Sequence, residues 1–84
     1  MEDHKSIETA PAIEVFKTDV IRQEDADRLV KVIHATFTDY QANFDLEDCD
    51  HILRVKSYSD IIIPTKLVLL LNTYGFNAEV LTDS

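Results

Sequence analysis

Between Asp45 and His51 the chain reads aspartate, leucine, glutamate, aspartate, cysteine, aspartate, histidine, and six of these seven residues carry an atom able to ligate a metal. The carboxylates of Asp45, Glu47, Asp48 and Asp50 are hard oxygen donors of the kind that hold Ca²⁺ or Mg²⁺. An EF-hand loop needs glycine at its sixth position and a bidentate glutamate at its twelfth. Counted from Asp45 these positions hold Asp50 and Lys56, so that pattern fails. A borderline metal such as Zn²⁺ would use Cys49 and His51, whose spacing sets both on one side of an extended strand. The cation candidates are therefore Asp48, Cys49, Asp50 and His51. A closed four-ligand site would draw its other donors from further Asp or Glu residues, from His34 or His4, or from a second chain. The competing reading is an acidic turn that keeps the link between two strands in water.

Catalytic chemistry finds less support. Cys49 is the sole cysteine, and Asp48 and Asp50 on either side oppose formation of the thiolate that would be the nucleophile. A Cys–His mechanism also needs an oriented base and an oxyanion hole, which one acidic turn does not supply. With a single glycine in the chain there is no Gly-rich phosphate loop. No enzyme activity and no cofactor are expected.

Composition narrows the partners. Sixteen acidic residues against eight basic ones give a formal net charge of −8. Phosphate backbones are held by clustered Lys and Arg with release of counterions, so nucleic acid is not an expected partner, nor is an anionic membrane surface. No apolar run approaches the ~20 residues that cross a bilayer. The amino terminus opens with Glu2 and Asp3 rather than a basic-then-apolar signal. One cysteine makes no internal disulfide, which fits a reducing compartment, and the cytoplasm is the expected location.

The elements that must position these residues are legible from periodicity. Residues 1–11 are polar and aperiodic and read as a flexible tail, leaving 12–84 as a single domain. Ile13 to Val20 contains strand formers, with apolar residues on both faces: Ile13 and Val15 on one, Phe16 and Val20 on the other. Ala26, Leu29, Val30, Ile33 and Phe37 then fall at helical spacing, and Glu24, Asp25 and Asp27 crowd the first turns, where the helix dipole favours negative charge. His34 lies one residue off that apolar stripe, at the helix edge. Tyr40, Ala42, Phe44 and Leu46 alternate with polar residues as a half-buried strand, and Ile52 to Ser57 is its hairpin partner. Pro64 suits the first position of a second helix running to Tyr74, Gly75 suits its carboxyl-terminal stop, and Phe76 to Leu81 is a final strand. With right-handed crossovers this order predicts an α+β fold, a ferredoxin-like βαββαβ sandwich with a four-stranded antiparallel sheet and two helices on one face.

The order of elements, the ending Gly75-Phe76-Asn77-Ala78-Glu79-Val80-Leu81, Pro64 with Leu67, Val68 and Leu71, and Phe44-Asp45-Leu46 resemble the heavy-metal-associated domain of copper chaperones and metal-transporting ATPases. The resemblance covers roughly residues 13–81. That family holds its metal in a Cys-x-x-Cys loop between the first strand and first helix, where two thiolates bind a soft cation such as Cu(I). Here the stretch is Val20, Ile21, Arg22, Gln23, Glu24, Asp25, Ala26, with no cysteine, histidine or methionine and with a guanidinium where a cation would sit. The resemblance thus implies a degenerate member: the scaffold without the copper loop. On that scaffold the acidic hairpin lies away from the family's metal loop.

The second helix carries more apolar residues than a two-layer sandwich needs. Leu67, Val68 and Leu71 would face the sheet and Leu70 the first helix, leaving Leu69 towards solvent; Ile61, Ile62 and Ile63 precede the helix. Either these residues widen the core, or they form a contact patch, with Ile62 and Leu69 as the contact residues, for a protein partner or a homodimer. The uncovered sheet face is a second candidate surface.

Overall fold

The structure is a computed structural model and describes residues 11–59 and 61–81, so almost all of the expected tail, His4 included, lies outside the described residues. The elements run β1 (Ala12–Thr18), α1 (Gln23–Thr36), β2 (Tyr40–Asp45), β3 (Ile52–Ser57), α2 (Pro64–Thr73) and β4 (Ala78–Val80). The strands form one antiparallel sheet in the order β2-β3-β1-β4, the arrangement of a ferredoxin-like sandwich. Both helices bury their apolar residues in the same core cluster, Ala26, Leu29 and Ile33 from α1 and Leu67 and Leu71 from α2. No helix among the described residues is long and apolar enough to cross a membrane.

Register settles the ambiguity of the first strand. Phe16 pairs with Leu53, and both are buried in the cluster that the helices cover. The odd-numbered residues of β1 consequently face away from the helices, with Ile13 55% exposed. The strand stops at Thr18 rather than continuing to Val20: the chain turns there, and Val20 enters the core from the loop. β4 is shorter than the alternation predicts, pairing with β1 only from Ala78 to Val80.

The second helix ends in a Schellman motif. The amide of Phe76 donates to the Leu71 carbonyl and that of Gly75 to the Asn72 carbonyl. Gly75 takes φ of 91°, a left-handed conformation that glycine adopts without steric cost. Phe76 then folds back against the core.

One residue assigned to a contact surface lies inside. Ile62 is only 8% exposed and belongs to the core cluster, whereas Ile61 and Ile63 point outward. The Tyr40 hydroxyl explains this: it donates to the Ile61 carbonyl at 3.1 Å and accepts from the Ile63 amide at 3.3 Å. The segment is held extended across the end of β2, so its middle side chain turns inward.

Candidate functional site

The acidic stretch forms the β2–β3 turn. Asp45 and Ile52 are the last paired residues, and the chain reverses over Asp48 to His51, whose amide donates to the Asp48 carbonyl at 2.9 Å. The Asp48 side chain accepts the Asp50 amide at 2.9 Å, an Asx turn, which explains an aspartate at that position. His51 has φ of 48°, in the left-handed region where Asn, Asp and His are the non-glycine residues most often found. The segment is therefore not extended at His51, and the side-by-side spacing expected of Cys49 and His51 does not hold.

What the turn brings together is Asp48, Cys49 and Asp50, with one ligand atom from each lying within 4.8 Å of the others. His51 is not part of that group. Its Nδ1 is buried with no hydrogen-bond partner, while its carbonyl accepts the Thr18 hydroxyl at 2.6 Å. Cys49 is a free, exposed thiol. Two carboxylates and a thiolate form a donor set of mixed hardness that suits a borderline divalent ion, but one donor short of a closed tetrahedral site. One oxygen of Asp48 is already engaged by the Asx turn.

The hairpin is not away from the β1–α1 loop; the fold places the two side by side. The amide of Thr18 donates to the Asp50 carbonyl at 3.1 Å, and the Thr18 hydroxyl, which bonds His51, also accepts the Val20 amide at 3.2 Å. The α2–β4 connection joins the same end, since both carboxylate oxygens of Asp19 accept from Asn77, from its amide at 2.8 Å and its side chain at 2.9 Å. Thr18 and Asp19 thus tie three loops together. Neither residue stands out in sequence, because each acts on a segment more than thirty positions away.

In the β1–α1 loop itself, Arg22 pairs with Glu24, which occupies the guanidinium within its own turn. His34 lies elsewhere: its Nε2 accepts the Ala42 amide at 3.0 Å, on the free edge of β2. That bond holds the ring against β2 and sets His34 apart from the acidic turn as a ligand.

The outer face of the sheet carries residues whose grouping no short motif reveals. Register aligns Ile13, Lys56 and Gln41 in one row and Val15, Arg54 and Asn43 in the next. A third row holds Lys17, Ile52 and Asp45, with Glu79 of β4 beside Lys17. A groove of about 440 Å³ is lined by Ile13, Gln41, Asn43, Arg54 and Lys56 and reaches His34 at the edge. The signal available in sequence was the Arg54–Lys56 spacing of two, opposite the buried Leu53 and Val55.

Comparison with known proteins adds no relative: no family model matches the chain, and no curated protein or solved structure matches it.

Proposed function

We propose that the chain is a small non-catalytic protein-interaction module, a heavy-metal-associated-like scaffold that has lost its copper loop and acts through contact with a protein partner or a second copy of itself. The observation that carries this reading is the exposure of large aliphatic side chains on α2 and the segment entering it. Leu69 is 64% and Ile61 70% exposed, and Ile63 also stands out of the surface. Aliphatic surface left in water on a helix and on the segment entering it is the kind that association removes. The resemblance supports the scaffold, and the residues from Val20 to Ala26 support the loss of copper binding, since none offers a soft ligand.

Sedimentation velocity across a concentration series tests the self-association branch. Leu69→Asp is expected to leave the melting temperature within a few degrees while weakening self-association about tenfold or more, because the burial of a leucine is replaced by that of a charge. A monomer at high micromolar concentration removes the homodimer. A set of cross-linked partners identical for wild type and Leu69→Asp removes the Leu69 contact altogether.

A second reading has its own observation, the convergence of Asp48, Cys49 and Asp50 within 4.8 Å. On this reading the turn captures a divalent cation, with His51 or a second chain completing the coordination. A cation that binds only the folded state raises the melting temperature by mass action, so a thermal scan with Zn²⁺, Ni²⁺, Cu²⁺ and Ca²⁺ decides it.

A further inference from the structure

In a chain of net charge −8, two successive rows of the open sheet face carry Arg54 and Lys56 and no carboxylate. Among the paired residues of that face the acids, Asp45 and Glu79, both stand in the third row with Lys17. Among the described residues neither Arg54 nor Lys56 makes an ion pair; Lys56 lies over the Tyr58 ring, 5.9 Å from its centroid. The two cations flank the groove that also takes in Ile13, Gln41 and Asn43. Beside the cations runs an aliphatic strip: Ile13, Val15 and, just after β4, Leu81, whose amide bonds the Val15 carbonyl at 2.9 Å.

We infer that this open face binds an acidic, extended segment of a partner polypeptide. The inference rests on the interaction-module reading and assigns that module a second surface and a partner chemistry. Arg54 and Lys56 are two apart on one strand, so they project to the same side about 6.6 Å from each other. An extended peptide repeats its own side chains at that interval, and carboxylates at alternate positions meet the two cations in register. Gln41 and Asn43, about 4.8 Å away on the neighbouring strand, add amide donors for the same carboxylates. Aliphatic residues of the segment lie against Ile13, Val15 and Leu81. A nucleic acid fits less well: its phosphates continue past the two basic rows to Asp45 and Glu79, and it offers nothing to the aliphatic strip. A short peptide with two or three carboxylates feels the local positive rows, because the rest of the chain's negative charge is screened over about 8 Å at physiological salt.

The test is fluorescence anisotropy with the full chain and a labelled decapeptide of alternating glutamate and valine, set against a lysine–valine decapeptide and a labelled oligouridylate. The acidic peptide is expected to bind, more weakly as salt rises, while the lysine peptide does not. R54E/K56E replaces two outward-facing side chains and is expected to melt like the wild type while losing about tenfold or more in affinity for the acidic peptide. The same variant should gain binding to the lysine peptide. No binding of the acidic peptide, binding indifferent to R54E/K56E, or tighter binding of the oligouridylate overturns the assignment. Leu69→Asp is expected to leave peptide binding unchanged. Failure here leaves the Leu69 contact standing, since sedimentation reads that contact separately.

Discussion

Thr18→Val is the most direct test of how the acidic turn is held. Valine has nearly the shape of threonine and the same branching at Cβ, so the strand and its packing are kept while the hydroxyl is removed. Thr18 is buried, and its oxygen makes two bonds: one to the His51 carbonyl and one from the Val20 amide. Leaving the buried Val20 amide without an acceptor costs about 1–3 kcal/mol, and the lost bond to His51 adds about 0.5–1.5 kcal/mol. Burying a methyl group in place of the hydroxyl returns about 0.8 kcal/mol. The net expectation is destabilisation by about 2 kcal/mol, which for a domain of this size lowers the melting temperature by roughly 10 °C. Urea denaturation followed by circular dichroism measures the loss. Amide exchange supplies the local readout: the Val20 amide and the turn from Asp48 to His51 should exchange faster than the centre of β3. Thr18→Ser keeps both bonds and loses only a methyl group, so its exchange pattern should stay native. If Thr18→Val is as stable as the wild type and the Val20 amide remains protected, the hydroxyl is not the anchor and this reasoning fails.

The remaining predictions concern the other end of α2 and the turn itself. Gly75→Ala meets no atom within 4 Å of the new Cβ, so its cost is conformational, about 1–2 kcal/mol, read as a lower urea midpoint with an unchanged slope; a neutral result would mean that the left-handed Schellman stop contributes nothing. If the turn captures Zn²⁺, the thermal stabilisation should vanish in Cys49→Ser with Asp50→Asn, and a shift that survives both places the ion elsewhere. Replacing His51 by glycine relieves the left-handed backbone while removing the ring, so a Zn²⁺ shift that persists in His51→Gly rules the imidazole out as a ligand.

Much of the architecture is legible because periodicity and punctuation agree. The alternation of Tyr40, Ala42 and Phe44, the helical spacing of Ala26, Leu29 and Ile33, and Pro64 and Gly75 at the two ends of α2 all point to the observed elements. What local reading misses depends on distant partners. The inward face of β1 is undecided within its own seven residues, since valine, isoleucine and phenylalanine suit either side; pairing with Leu53 and Val55 decides it. Three consecutive isoleucines look equivalent until the Tyr40 hydroxyl, more than twenty residues away, pins the backbone on both sides of Ile62. The metal candidates divide for a similar reason: Asp48 directs the turn through its own side chain, and the resulting left-handed His51 leaves the donor group that its spacing had promised. The nearness of the acidic turn to the β1–α1 loop follows from topology, because β1 and β2 run the same way beside β3 and so end on one side of the sheet.

The bond from Ala42 to His34 bears on how this protein stays apart from others of its kind. A strand at the rim of a sheet offers its outward amides to any passing chain, and ladders that grow from such rims end in fibrils. Along β2 the amides that alternate onto the rim begin with Tyr40 and Ala42. Tyr40 donates to the Phe37 carbonyl at 3.0 Å, and Ala42 donates to His34. An incoming strand therefore finds the first two rungs already filled by the last turn of α1 and the residue after it. The helix that packs the core also guards the rim, so loosening its carboxyl-terminal turn would uncover a template for aggregation together with the core residue Ile33.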